Sequence, residues 1–142
     1  MDISGMRLEG VRTVDIPTIR GEGSVSFLQK GQPLPFEPKR MYYLHDIPEG
    51  TVRGAHAHKE LQQVIWAITG SFRLVLEDGH SRKEFMMDSP TKGLYLPSGL
   101  WRDLYDFTPG AVCVVMASLE YDEADYIRDY NEFLEYARGG AE

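Results

Sequence analysis

Short apolar or alternating segments, separated by turn residues, make up most of the chain. Asp78-Gly79 is typical of the turn of a β-hairpin, and Pro97-Ser98-Gly99 is typical of a longer turn. The segments with the strand pattern are 40–47, 51–58, 63–69, 71–77, 81–87, 92–96 and 111–119. Strands at such short and regular spacing predict an antiparallel sandwich or barrel.

The C-terminal segment has a different period. Apolar residues recur there at steps of three and four, the pattern of an amphipathic helix: Tyr126, Ile127, Tyr130, Phe133, Leu134 and Ala137. Asp122 could cap the start of this helix, and Gly139-Gly140 would end it, which predicts a helix over about 122–138. No repeat or linker divides the chain, so we expect one domain over residues 1–142, strand-rich over 1–119.

Composition narrows the function classes. Fifteen Lys and Arg against 22 Asp and Glu give a net charge of −7, which disfavours binding to nucleic acid. The longest apolar stretch, 111–119, is about half the ~20 residues of a membrane helix, and no basic-then-apolar leader opens the sequence. Cys113 is the one cysteine and cannot form an internal disulfide, so we expect a cytoplasmic protein.

Two histidines stand two residues apart in a predicted strand. His56 and His58 should therefore point to the same face of the sheet. Paired imidazoles inside a barrel serve metal ligation, proton transfer or the filling of a polar core, and the pair alone does not decide between these uses.

The surrounding spacing is more specific. Gly50-x5-His56-x-His58-x4-Gln63-x6-Gly70 resembles the first cupin motif, and Pro97-x-Gly99-x2-Arg102 resembles the second. The resemblance implies an all-β cupin jelly-roll barrel, a double-stranded β-helix, with a short C-terminal helix. Gln63 replaces the usual Glu and Arg102 replaces the usual His. An amide is a poorer ligand than a carboxylate, and a protonated guanidinium does not ligate, so we expect no metal.

The same residues suit acid–base chemistry. Imidazole accepts and returns protons near neutral pH, and a cation such as Arg102 could stabilise an oxyanion. Arg40 and Tyr42 share a face of their predicted strand. Arg53 has the wrong parity to join the histidines on a regular strand, so either Gly54 forms a β-bulge or Arg53 belongs to a loop. Trp101 is predicted either as a wall of the barrel or as a platform for substrate.

Nearly the whole chain, from about Gly23 to Tyr136, resembles the nucleotide-sugar 3,4-ketoisomerases. The segments that are similar to this family are Lys39–Tyr43, Arg53–Lys59, Asp88-Ser89-Pro90, Gly93-Leu94-Tyr95, Trp101, Asp106-Phe107 and Tyr121–Arg128. Such enzymes convert dTDP-4-keto-6-deoxyglucose to a dTDP-3-keto-6-deoxyhexose without metal or cofactor. The resemblance therefore implies a dTDP-linked 4-keto-6-deoxy sugar as substrate and a homodimer as assembly.

It also implies roles for the candidate residues. The paired histidines would supply the base; we expect His56 to act at C3, with His58 as a second acid–base group or an orienter. Tyr42 would move or hold a hydroxyl proton, while Arg102, and Arg53 if it reaches the site, would hold the developing oxyanion.

Two further residues have alternative roles. Gln63 would fix the sugar or a histidine tautomer. Arg40 would contact substrate or form a plain salt bridge.

Because Arg102 replaces an imidazole found in several members, one possible proton donor is absent from that corner. We expect the proton to reach C4 from the same side as abstraction, which would give the gluco product with the C4 configuration retained. Two other functions stay open from the sequence: a metal-dependent cupin dioxygenase, and a cupin that binds a nucleotide sugar without catalysis.

Overall fold

Two antiparallel five-stranded sheets face each other across the main core. The structure is a computed structural model that describes residues 4–139. The first sheet has the strand order β1-β11-β8-β13-β6, and the second has the order β10-β9-β12-β7-β14. The elements are α1 (Ser4–Glu9), β1 (Arg12–Asp15), β2 (Thr18–Gly21), β3 (Gly23–Ser26), β4 (Gln29–Lys30), β5 (Pro33–Leu34), β6 (Arg40–Leu44), β7 (Arg53–His58), β8 (Gln63–Thr69), β9 (Phe72–Glu77), β10 (Arg82–Met87), β11 (Lys92–Leu96), β12 (Trp101–Tyr105), β13 (Val112–Ala117), β14 (Tyr126–Ile127) and α2 (Tyr130–Ala137). This arrangement confirms the predicted all-β jelly-roll fold.

Three apolar clusters hold these layers together. The largest fills the space between the sheets with alternate residues of β8, β9, β11 and β13. A second covers the outer face of the first sheet, where Leu34 and Phe36 belong to the same cluster as Trp66. The third joins α2 to the outer face of the second sheet through Phe133, which is fully buried. Burial of one such aromatic side chain contributes about 1.5–3 kcal/mol.

All seven predicted strands are present, and those at 63–69 and 92–96 have the predicted bounds. The sequence analysis missed β12, which pairs with both β7 and β9 in the middle of the second sheet. Trp101 and Arg102 are adjacent in this strand and both buried. Buried neighbours break the alternation of apolar and polar residues on which strand prediction depends. The short strands before residue 35 were also missed.

The expected helix start at Asp122 is wrong. Asp122 caps a single 3-10 turn, Glu123–Asp125, and α2 begins only at Tyr130 with Asp129 as its N-cap. Between them β14 pairs with β7, so the backbone of Tyr126 and Ile127 bonds to a sheet rather than within a helix. Tertiary pairing thus overrides the helical period of these residues.

The helix ends at Ala137, near the predicted end, and Gly139 follows with a φ of +69°. Gly140 lies outside the described residues. Within residues 4–139, neither helix has the length and apolar character needed to cross a membrane.

Candidate active site

A cavity of about 330 Å³ lies between the sheets, with β6 on one wall and β7 and β12 on the other. Its volume is within the usual range for small-molecule sites. Six of the eight predicted site residues line it: Arg40, Tyr42, Arg53, His56, Gln63 and Arg102. Most of the residues predicted from distant segments of the sequence therefore lie in one cavity.

A β-bulge in β7 shapes this wall. His56 pairs with Arg102 and Gly54 pairs with Asp103, so Ala55 is an extra residue between them. Gly54 and Ala55 have φ values of +90° and +52°. A bulge re-aims the side chains that flank it, and here Arg53 and His56 both line the cavity. The predicted bulge at Gly54 is confirmed.

His56 and His58 share one face, as predicted, and their Nε2 atoms are 3.1 Å apart. His56 lines the cavity, whereas His58 lies behind it and is fully buried. The Nδ1 of His56 is 2.9 Å from the carbonyl oxygen of Gly54. The Nδ1 of His58 is 2.9 Å from Oδ2 of Asp125. A chain of three polar contacts thus runs from Gly54 to Asp125.

Both imidazoles are held in their neutral form. Burial, followed by the positive charge of Arg102, lowers the pKa of His56 to about 4. Burial and the Arg102 charge also lower the pKa of His58. At neutral pH His56 therefore has an unprotonated ring nitrogen available as a base.

Arg102 lies beside His56 on the adjacent strand and is only 3% exposed. Its Nη2 donates to the carbonyl oxygen of Leu100 at 3.2 Å. Its Nε and Nη1 have no hydrogen-bond partner among the described residues. Burial lowers the pKa of Arg102 to about 10, so the side chain keeps its charge at neutral pH. Unpartnered buried donors are costly, and an anionic oxygen of a ligand would satisfy them.

The opposite wall is built around Tyr42. Its hydroxyl oxygen accepts a hydrogen bond from Nε2 of Gln63 at 2.9 Å, which leaves the phenolic proton free to point elsewhere. Burial raises the pKa of Tyr42, so the phenol stays protonated. Arg40 stacks over the Tyr42 ring with its Cζ 4.9 Å from the centroid.

The position of Trp101 favours packing over contact with substrate. It does not line the cavity and instead packs under α2, with its ring 5.2 Å from Tyr130 and 5.7 Å from Phe133. Because neighbours in a strand point to opposite faces, the inward position of Arg102 turns Trp101 outward. The alternative reading of Trp101 as a packing residue is the one that the structure supports.

Three site residues were missed because the sequence reasoning assigned their segment to a helix. Tyr126 and Arg128 line the cavity, and Arg128 lies over the Tyr126 ring at 4.2 Å. Asp125 contacts His58 from behind. The segment Tyr121–Arg128 was recognised only as a family motif. Its pairing with β7 depends on long-range contacts, which the periodicity of apolar residues does not reveal.

This corner does not fit a metal ion. Within residues 4–139, no group of three or more His, Cys, Asp or Glu is arranged to hold one. Gln63 already donates its amide to Tyr42, and Arg102 supplies a cation where a cupin metal site would need a ligand. The donor set favours proton transfer and anion binding instead.

Comparisons with known proteins agree with this geometry. The family described as "WxcM-like, C-terminal" matches residues 9–138. A TDP-4-oxo-6-deoxy-alpha-D-glucose-3,4-oxoisomerase from Aneurinibacillus thermoaerophilus is 42% identical over 118 residues, which cover 83% of this chain and 85% of the relative.

Two solved structures from Campylobacter jejuni are also similar. A TDP-quinovose 3,4-ketoisomerase is 39% identical with a TM-score of 0.85, and the match covers 89% of this chain and 98% of that one. A TDP-fucose-3,4-ketoisomerase is 28% identical with a TM-score of 0.89, and the match covers 94% of this chain and 99% of that one.

Fold and site together define a cupin of the sugar 3,4-ketoisomerase class, which is a class of isomerases. The chain belongs to the WxcM-like, C-terminal family. The family resemblance and the enzyme class that the sequence predicted are thereby confirmed.

Proposed function

We propose that this protein is a TDP-4-keto-6-deoxyglucose 3,4-ketoisomerase that works by acid–base chemistry without a metal. The observation that carries the proposal is the pairing, in one cavity, of a neutral histidine with a buried arginine whose N–H donors lack partners. A ketone that migrates between neighbouring carbons requires a base for the C–H proton and a donor for the enediolate oxygen. The substrate named for the Aneurinibacillus relative has this chemistry.

In the first step His56 takes the proton from C3. The electron pair of that C–H bond forms the C3=C4 bond of an enediolate, and negative charge develops on O4. The unpartnered N–H groups of Arg102 lie on the strand next to His56 and would donate to that oxygen. Arg40, Arg53 and Arg128 add positive charge to the cavity, which suits a diphosphate on an otherwise acidic protein.

In the second step a proton must reach C4. Tyr42 lies on the first sheet and His56 on the second, so a sugar ring that lies parallel to the sheets would have one group on each face. In the gluco chair the hydrogens at C3 and C4 are axial on opposite faces. Abstraction by His56 and donation by Tyr42 would therefore give the gluco product. The expected delivery from the side of abstraction is wrong on this point, because it would give the galacto product.

The protons balance without a solvent molecule. The C3 proton passes from His56 to O4, the Tyr42 proton passes to C4, and the O3 proton returns to the Tyr42 oxygen as C3 becomes a ketone. Both side chains then regain their resting states. In the described part of the chain His56 is the only imidazole that lines the cavity, which supports a phenol rather than a second histidine as the donor.

NMR of the product tests the proposal. The protein is incubated with TDP-4-keto-6-deoxyglucose in H2O, and the ketone should move from C4 to C3. A large diaxial coupling between H4 and H5 is expected for the gluco product. A small coupling would refute the stereochemistry but leave the isomerase assignment intact, whereas an unchanged substrate would refute the assignment.

The same incubation in heavy water separates the two alternatives. A cupin that only binds the sugar would leave the C3 hydrogen in place, whereas an isomerase introduces deuterium at C4. A metal-dependent dioxygenase would consume oxygen and lose activity to a chelator. We expect deuterium uptake, no oxygen consumption and full activity in EDTA.

We further propose a homodimer located in the cytoplasm. Met41, Tyr43 and Ile68 are exposed apolar side chains that line one groove on the outer face of the first sheet. Exposed apolar patches of this kind mark interfaces, and a second copy of the chain is the partner that the family resemblance implies. Cys113 is buried as a free thiol, which suits a reducing compartment.

A further inference from the structure

The contacts at both ends of the histidine chain assign its protons. A carbonyl oxygen only accepts hydrogen bonds, so the Nδ1 of His56, 2.9 Å from the Gly54 oxygen, is the protonated nitrogen. The Nε2 of neutral His56 therefore has a lone pair. Gly54 thus stabilises the tautomer of His56 in which Nε2 is the unprotonated nitrogen that can act as a base.

Asp125 fixes the other end. It is 8% exposed, and its Oδ1 accepts the backbone N–H of Glu60 at 2.7 Å, which holds the carboxylate in place. Its Oδ2 lies 2.9 Å from Nδ1 of His58, so that nitrogen donates and is the protonated one. The Nε2 of neutral His58 then also has a lone pair.

In these tautomers neither Nε2 atom has a proton, so the two imidazoles are not joined by a hydrogen bond. The two unprotonated Nε2 atoms lie 3.1 Å apart, and one added proton would convert this contact into a hydrogen bond. The neighbouring Arg102 cation keeps the extra charge out at rest, since it lowers the pKa of both rings.

We propose that the proton leaving C3 is held between His56 and His58, and that Asp125 is the positioning residue that keeps Nε2 of His58 free to accept it. This inference rests on the proposed isomerase function. The C3–H bond breaks, the N–H bond forms at Nε2 of His56, and Nε2 of His58 accepts a hydrogen bond from it. The imidazolium charge is then shared with a buried imidazole that is itself paired with a carboxylate.

The variant Asp125→Asn tests this role. The amide oxygen can still accept the Glu60 N–H, but the amide NH2 then faces Nδ1 of His58. The favoured tautomer of His58 then has its proton on Nε2. That proton lies between the two imidazoles, where the proton from C3 would otherwise be held. We expect kcat to fall by about 10²–10⁴-fold, because a wrong tautomer removes the benefit of the acid–base group. KM should stay within a few-fold, since Asp125 does not line the cavity.

Asp129→Asn is the matched control. It removes a carboxylate from the same segment, and asparagine replaces aspartate well at a helix N-cap. Its kcat should equal that of the wild type.

Two readouts separate positioning from mere structural support. Nitrogen-15 NMR of the wild type should show His58 protonated at Nδ1, and that of Asp125→Asn should show it protonated at Nε2. With substrate deuterated at C3, the kinetic isotope effect on kcat should be larger for Asp125→Asn than for the wild type, because C–H cleavage becomes slower than the other steps.

The outcomes are distinguishable from failure of the proposed function. A wild-type protein that leaves the substrate unchanged refutes the isomerase itself. An active wild type with an equally active Asp125→Asn variant, or with His58 protonated at Nε2, overturns the role of Asp125. Should the variant not fold, the nitrogen-15 spectrum of the wild type decides alone.

Discussion

Arg102 has opposite effects on stability and on activity at the scale of a single residue. Its guanidinium is buried with two nitrogens lacking partners, which costs folding free energy, yet the proposed enediolate needs those donors. We predict that Arg102→Met lowers kcat by about 10²–10³-fold, the usual loss for an oxyanion donor. The same change should leave the melting temperature unchanged or raise it, since an apolar residue of similar volume avoids burying an unpaired charge.

Turnover followed by NMR and thermal unfolding followed by circular dichroism measure both effects. A variant that keeps wild-type kcat would remove Arg102 from the mechanism. A variant that unfolds well below the wild type would show instead that the cation stabilises the fold.

The lowered pKa of His56 gives a prediction about pH. The base must be unprotonated, so activity is lost as pH falls through the pKa of the free enzyme. An ordinary histidine would lose activity around pH 6.5, whereas the pKa of about 4 for His56 keeps kcat/KM level from pH 7.5 to 5.5. The rate should then decline toward a midpoint near 4. A midpoint at 6.5 in protein still folded by circular dichroism would contradict the lowering of the His56 pKa by its partly buried position beside Arg102.

At the scale of the element, β7 shows why the site was largely predictable. The spacing of His56 and His58 predicts their shared face, and the parity of Arg53 indicates a bulge at Gly54. Local backbone rules suffice for such inferences. They did not suffice for Arg102, whose strand was missed, or for Asp125, whose contact with His58 spans 67 positions of sequence.

The bulge itself gives a test. A Cβ at position 54 would lie 3.0 Å from the Arg102 carbonyl oxygen and 3.0 Å from Leu104 Cδ1, and the residue has a φ of +90°. We predict that Gly54→Ala destabilises the fold by about 1–3 kcal/mol and lowers kcat, because β12 must move and Arg102 with it. Urea unfolding and NMR turnover give the two values.

Gly50→Ala is the control for backbone strain alone. Gly50 has a similar φ of +82°, but no atom lies within 4 Å of its added Cβ. Its loss of stability should be smaller and its kcat unchanged. Equal effects of the two substitutions would mean that strain, and not the approach of β12, limits position 54.

At the scale of the whole molecule, the two sides of β6 have separate tasks. Arg40 and Tyr42 face the cavity, while Met41 and Tyr43 face outward and are each 55% exposed. Exposure of apolar groups to water is unfavourable, so their burial against a second surface would be stabilising. One strand thus links the proposed site to the proposed dimer interface.

Light scattering after size exclusion measures this assembly directly. We predict a mass of about twice the 16.2 kDa of the chain, because burial of the outward groove is favourable and a two-fold interface is the commonest kind. The double variant Met41→Glu and Tyr43→Glu should be a monomer, since it would bury charges between the subunits. Met86→Glu, on the exposed side of β10 in the other sheet, should stay a dimer. A monomeric wild type, or a double variant that still dimerises, would show that the apolar side of β6 does not form the interface.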